Sequence, residues 1–248
     1  LTKSNDTLKK NLIKIFNENN HDNISLIQKK CWENLGRTMA ELSHLKKIIN
    51  EKNDITIEGF RNLKDVLNNK EQAIFIGIHQ SNWEILGPIM TNYGIKINFI
   101  YRHINNSFID KFIFNIRKNA NLSSNTILSP KGKKSASDII RSINKGFSIA
   151  LLVDQKDSSG SDVPLLGHIS KTQTGFIKLS KKFKLKIYPI ENKRVNKNQF
   201  KVIFHKPLNL FDNNDIDEIK AMTKIHNIIG EWIKKEPNNW LWQHKRWG

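Results

Sequence analysis

The sequence predicts an α/β fold in which a mixed, largely parallel central sheet is flanked by helices. Short β-branched and aromatic runs of strand length alternate with segments of helical period through most of the chain. The longest helical patterns stand at its two ends, where they can cover the faces of a sheet. Glycines stand just past two of the helical patterns, Gly94 and Gly146, where a left-handed residue ends a helix without steric cost.

Leu8, Leu12, Ile15 and Phe16, and then Ile24, Ile27, Cys31, Leu35, Met39 and Leu42, recur at helical spacing and predict helices over about 6–18 and 23–48. The second carries Trp32, Asn34, Gly36 and Arg37 on or near its polar side. A short apolar stretch at 54–57 and a helix at about 58–68 follow. Strands are expected at 73–79, 95–101, 147–153, 185–190 and 200–205, with helices at 82–93, 107–119, 135–144 and 172–183. Residues 154–171 read as a long loop, and 215–235 as an amphipathic helix before a Trp-rich tail. With no internal repeat and no dividing linker, residues 1–248 read as one domain, with a helical N-terminal part at 1–70 and an α/β core at 71–248.

Composition narrows the partners. Lys and Arg number 41 against 23 Asp and Glu, a formal net charge of +18, so the expected partners are anionic: nucleic acid, an acidic protein or a phospholipid surface. Nucleic acid is the least favoured, because zinc-finger spacing, an RNP-like aromatic block and a helix-turn-helix pattern are all missing from the sequence. Cys31 is the single cysteine, which excludes an intrachain disulfide and a Cys-based zinc site; on its apolar stripe it reads as core. No apolar run approaches the roughly 20 residues of a spanning helix. The chain begins at Leu1, and a preceding membrane anchor is expected.

In open α/β sheets, ligands bind at the carboxyl ends of strands. Three places qualify here: His79, Tyr101–Arg102 and Asp154–Gln155. The strongest is His79-Gln80-Ser81-Asn82-Trp83-Glu84. A histidine ending a buried strand, with a carboxylate five positions on, offers a general base and a group to orient it, suited to activating a hydroxyl on the substrate. Ser81-x-x-Glu84 also reads as a capping box, which would commit Glu84 to a backbone N–H. Arg102 is one of only seven arginines in a Lys-rich chain, and an Arg after a strand suits bidentate phosphate or carboxylate binding. Asp154 and Gln155 read either as lining the site's mouth or as a turn. Trp232, Trp240, Trp242 and Trp247, with Lys234, Lys235, Lys245 and Arg246, read as an interfacial belt or as packing onto the sheet, the latter favoured for Trp240 and Trp242.

These blocks together resemble a known family. His79-x-x-x-x-Glu84 is similar to the first motif of the lysophospholipid acyltransferase superfamily. Trp32–Arg37 with Ala40-Glu41, Tyr101-Arg102, Asp154-Gln155-Lys156, Val163-Pro164 to Gly167, Thr172 and Thr174-Gly175 resemble, in order, the late lauroyl/myristoyl acyltransferases of lipid A biosynthesis. So does the ending from Glu236-Pro237 through Trp240-Leu241-Trp242-Gln243-His244-Lys245-Arg246-Trp247, the most specific block. Where members often carry paired Phe and an Arg around the loop glycine, this chain has Leu165, Leu166 and His168.

The resemblance implies a glycerol-3-phosphate acyltransferase-like fold. It also implies transfer of a fatty acyl group from acyl carrier protein (ACP) to a hydroxyl of a Kdo-bearing lipid A precursor, at the cytoplasmic face of the inner membrane. His79 would be the base, Glu84 its partner, Arg102 a phosphate ligand, and Asp154 and Gln155 substrate-binding residues, with no metal or cofactor. Another glycolipid or a lysophospholipid as acceptor is the alternative.

Overall fold

The computed structural model describes residues 2–16, 21–50, 54–104, 106–120, 125–131, 135–210 and 217–247. Helices α1 (Thr2–Phe16), α2 (His21–Glu41) and α3 (Leu45–Asn50) precede strand β1 (Ile55–Glu58) and helix α4 (Lys64–Asn68). The core then alternates: β2 (Ala73–Gly77), α5 (Leu86–Asn92), β3 (Ile97–Tyr101), α6 (Ser107–Ala120), β4 (Thr126–Pro130), α7 (Ser135–Asn144) and β5 (Ser148–Leu152). A hairpin of β6 (Ser161–Leu165) and β7 (His168–Thr172) leads to α8 (Gly175–Phe183), β8 (Lys186–Arg194), β9 (Phe200–Phe204) and α9 (Glu218–Lys235).

Seven strands form the central sheet in the order β1-β9-β8-β2-β5-β3-β4, and only the β8–β9 pair is antiparallel. The carboxyl ends of β2, β3, β4, β5 and β8 therefore share one rim. β2 is buried along its whole length, as expected for a strand covered on both faces. Its alternation sorts the two apolar layers. Ile74 and Ile76, with Ile149 and Ile187, meet α1, α2, α8 and α9 through Leu8, Leu12, Ile24, Phe176 and Ile225. Ala73 and Phe75, with Ala150 and Tyr188, meet Leu63, Ile85, Leu86, Met90 and Ile113 on the other side. Each such large side chain contributes roughly 1.5–3 kcal/mol on burial.

Several elements differ from expectation. The helix expected over 23–48 is interrupted by a 3₁₀ turn at Leu42–His44, where the Ser43 hydroxyl donates to the Ala40 carbonyl and competes with the helical ladder. The helix expected over about 6–18 ends at Phe16, and residues 17 and 18, like residues 215 and 216 of the last expected helix, lie outside the described residues. The expected N-terminal helical part also supplies an edge strand, β1. Strand β4 and the β6–β7 hairpin stand where no strand was expected. The hairpin's two-residue turn, Leu166-Gly167, has positive φ at both positions (53° and 82°). This is the turn that matches strand twist, but a leucine stands where Asn or Asp would announce it.

Candidate active site

The pairing register of β2 with β5 builds the centre of the site. Gly77 faces Leu152 across the two parallel strands, so two residues further along both chains His79 meets Asp154. His79 Nδ1 lies 2.8 Å from Asp154 Oδ1, and the His79 backbone N–H donates to Asp154 Oδ2 at 3.0 Å. The Trp240 indole N–H donates to the same Oδ2 at 2.7 Å. Asp154 is fully buried. Burial opposes its charge, but the charge of His79 and the hydrogen bonds it donates hold the carboxyl well below the usual carboxylate range. A carboxylate held in this way makes Nδ1 the protonated ring nitrogen and leaves Nε2 to act as a base. The Trp83 ring and the imidazole meet in an edge-type arrangement, with centroids 5.2 Å apart.

The turn after His79 is braced from three directions. Ser81 has positive φ (52°) and is fully buried, a conformation that persists only when its surroundings over-determine it. The Thr38 hydroxyl donates to the Ser81 carbonyl at 2.9 Å, and the Arg194 N–H donates to the Ser81 hydroxyl at 3.0 Å. Asn82 donates to Glu41 at 2.9 Å, and Glu41 in turn takes two hydrogen bonds from the Arg194 guanidinium at 2.7 and 2.9 Å. The C-terminal segment pairs along the turn, with the Ser81 N–H on the Asn239 carbonyl (2.8 Å) and the Leu241 N–H on the His79 carbonyl (3.0 Å). Asn34, expected near the polar side of its helix, is buried and donates to the Asn239 carbonyl.

Beside this turn lies an apolar pocket enclosing about 650 Å³ of empty space, its open mouth included. Phe75, Leu86, Met90, Phe99, Leu128 and Leu152 are among its lining residues, and Trp83, Glu84, Tyr101 and Arg117 bring polar atoms to its wall. A pocket of this composition takes a hydrocarbon chain with a few fixed polar contacts. Among the described residues, no cluster of His, Cys, Asp and Glu has a metal-site arrangement.

A family model of bacterial lipid A biosynthesis acyltransferases matches residues 1–248, the full chain. The chain belongs to that family. Its activity is accordingly acyl transfer in lipid A synthesis, with a lipid A-type acceptor. Among curated proteins, none matches the chain in sequence. Among the described residues of this lipid A acyltransferase, no helix is long and apolar enough to cross a membrane.

The structure brings His79 and Asp154 together and holds Glu84 apart from them. Glu84 does not reach back to His79. It takes two hydrogen bonds from the Arg117 guanidinium, at 2.6 and 2.8 Å, and one from the Trp83 indole at 2.9 Å. Nor does the expected capping box form, since the Asn82 side chain accepts from the Glu84 N–H while the Ser81 hydroxyl serves Arg194. Asp154, expected to bind substrate, is buried beneath His79 with its Oδ1 on the ring's Nδ1. Gln155 is half-buried next to it, and Arg102 stands exposed at the end of β3 on the same rim.

The interfacial Trp belt is not formed: Trp232, Trp240, Trp242 and Trp247 are all buried. Arg246, also buried, donates to the Ser170 and Thr172 hydroxyls and the Lys171 carbonyl, pinning β7. The segment expected as a long loop is thus in large part a hairpin fastened by the C-terminal tail. Arg117 and Arg194 were not among the expected site residues, and Glu41 stood only within a resembling block. Nothing local in sequence marks their partners, which stand 33 and 153 positions away.

Proposed function

We propose that the protein transfers a fatty acyl group from acyl-ACP to a hydroxyl of a Kdo-bearing lipid A precursor, with His79 as general base. The observation that carries this is the His79–Asp154 pair at 2.8 Å, at the strand rim and beside an apolar pocket. His79 Nε2 takes the proton of the acceptor hydroxyl as its oxygen attacks the thioester carbon. Asp154 stabilises the imidazolium that forms. When the tetrahedral adduct collapses, the C–S bond breaks and the imidazolium returns the proton to the departing thiolate. The ester, the carrier thiol and the original imidazole remain, so no covalent enzyme intermediate is required.

The donor's acyl chain fits the pocket below Trp83. Arg102 is the proposed ligand for an acceptor phosphate, with Gln155 beside the mouth. Because lysine keeps the charge and loses the bidentate fork, Arg102→Lys is expected to lower kcat/KM roughly 10- to 150-fold on a phosphorylated acceptor, the equivalent of one charge-assisted hydrogen bond. The loss should be smaller on an acceptor without that phosphate. Equal losses on both acceptors would remove Arg102 from the binding site.

The reading as a whole is tested by incubating the purified protein with a Kdo-bearing lipid A precursor and a mixture of acyl-ACPs, then weighing the products. One added acyl group on the precursor is the expected result. Acylation of a lysophospholipid alone would overturn the acceptor assignment.

A further inference from the structure

Helix α6 turns large apolar residues outward. Phe108 is 86% exposed and Phe112 61%, with Ile109 and Ile104 exposed beside them. At 3.6 residues per turn, Phe108 and Phe112 project within about 40° of each other. Lys111 and Lys118, also exposed, flank that stripe on one side. The helix's single acid, Asp110, is turned away from it, onto the His103 ring and the Ile104 N–H. The opposite face is anchored by buried Ile113 and by Arg117 on Glu84. The outward stripe is therefore apolar with a cationic edge, on a helix that is held in place.

Its location gives the stripe a purpose. α6 follows β3 after a short connection, so its first turn stands at the rim that carries His79, Asp154 and Arg102. Tyr101 and Arg117, which line the pocket, contact the helix or belong to it. Exposed Phe residues edged by lysines are the composition of an interfacial helix on anionic lipid. The chain's formal net charge of +18 points the same way. Exposed aromatic rings make up the body of the stripe and lysines only its edge, which favours acyl chains rimmed by anionic headgroups over an acidic protein surface.

We propose that the first two turns of α6 dock on an anionic phospholipid surface, with Phe108 and Phe112 among the acyl chains, so that the active-site mouth opens toward the bilayer that holds the acceptor. This rests on the lipid acceptor assigned above. The test is co-sedimentation of the purified protein with vesicles of phosphatidylethanolamine and phosphatidylglycerol, alongside activity on detergent-dispersed acceptor.

The double substitution Phe108→Ser/Phe112→Ser is expected to lower partitioning roughly ten- to a thousandfold, the loss of two inserted aromatic side chains. Melting temperature and micellar activity should stay near wild type. Ile169→Ser, at an exposed apolar residue outside α6, should leave partitioning unchanged. Binding should weaken with added salt and on vesicles of phosphatidylcholine alone. Wild-type protein that ignores the anionic vesicles, or a double variant that binds them as well as wild type, would overturn the proposal. A raised KM for acyl-ACP with unchanged vesicle binding would do so too, by making α6 a carrier-protein contact. A wild-type protein that binds vesicles through α6 yet acylates no lipid A precursor would overturn the acceptor reading and leave the docking surface standing.

Discussion

His79 and Asp154 are 75 positions apart in the chain and meet because β2 and β5 are neighbours in register. His79→Ala is expected to lower kcat by roughly 10²–10⁴ through loss of the general base. Asp154→Asn should lose a comparable amount, because an amide orients the ring without stabilising the imidazolium. Steady-state kinetics on folded variants check both, and near-normal turnover in either would sink the mechanism.

Glu84 obeys a different logic. Its carboxylate is 7% exposed and Arg117 21%, so Glu84→Gln leaves a largely buried guanidinium without its counter-charge. The expected cost is about 2–4 kcal/mol of stability, discounted from a fully buried pair because Arg117 keeps some solvent. Adding Arg117→Met to Glu84→Gln should recover part of the melting temperature. A Glu84→Gln protein that melts like wild type but has lost turnover would instead make Glu84 a direct participant in the chemistry.

Among the elements, β4 and the β6–β7 hairpin change how the molecule is understood. β4 extends the sheet past β3 and lends Leu128 to the pocket wall. Leu128 is only partly buried, so a larger side chain there meets the pocket before it meets the core. Leu128→Phe is expected to shift the transferred acyl chain toward shorter lengths with little change in melting temperature. Mass spectrometry of products from a mixed acyl-ACP pool reads this directly, and an unchanged chain-length profile would place the acyl group elsewhere. The hairpin is tied to α9 through the His226 ring on the Pro164 carbonyl and to the tail through Arg246. That explains why a run of Ser, Asp and Gly holds a fixed shape.

Over the whole molecule, the tail and α9 carry two buried histidines whose titration contributes to acid stability. Burial pushes both His226 and His244 down to about 4. The unfolded chain therefore takes up protons first as pH falls. The stability these residues allow is complete above about 6.5 and is lost progressively between about 6.5 and 4, on the order of 3 kcal/mol apiece at the limit. Asp154, held below the usual carboxylate range, extends the loss further into acid. Melting temperature should fall steadily from pH 7 to 4.5, and His226→Gln should flatten that slope. A wild-type melting temperature that is flat across this range would remove these groups from the account. Cys31, buried and raised to about 12, should resist thiol reagents until the protein unfolds.

The sequence by itself determined the α/β class, most of the helices, five sheet strands and the place of His79 at a strand's end. Each is announced by local periodicity or by its position at the end of an apolar run. The ordered blocks that resemble the lipid A acyltransferases were also legible, and the tail's packing role was legible for Trp240 and Trp242. Only the tertiary structure decided what the blocks do together. Register chose Asp154 over Glu84 as the partner of His79, because a spacing of five residues sets what a carboxylate can reach but not what competes for it. Here Arg117, brought in by α6, took Glu84. The Trp240 bond to Asp154 and the bracing of Ser81 by α2 and the C-terminal segment join residues 43 to 158 positions apart. Contacts at that range leave no periodic trace in a sequence, and they exist only once the sheet has closed.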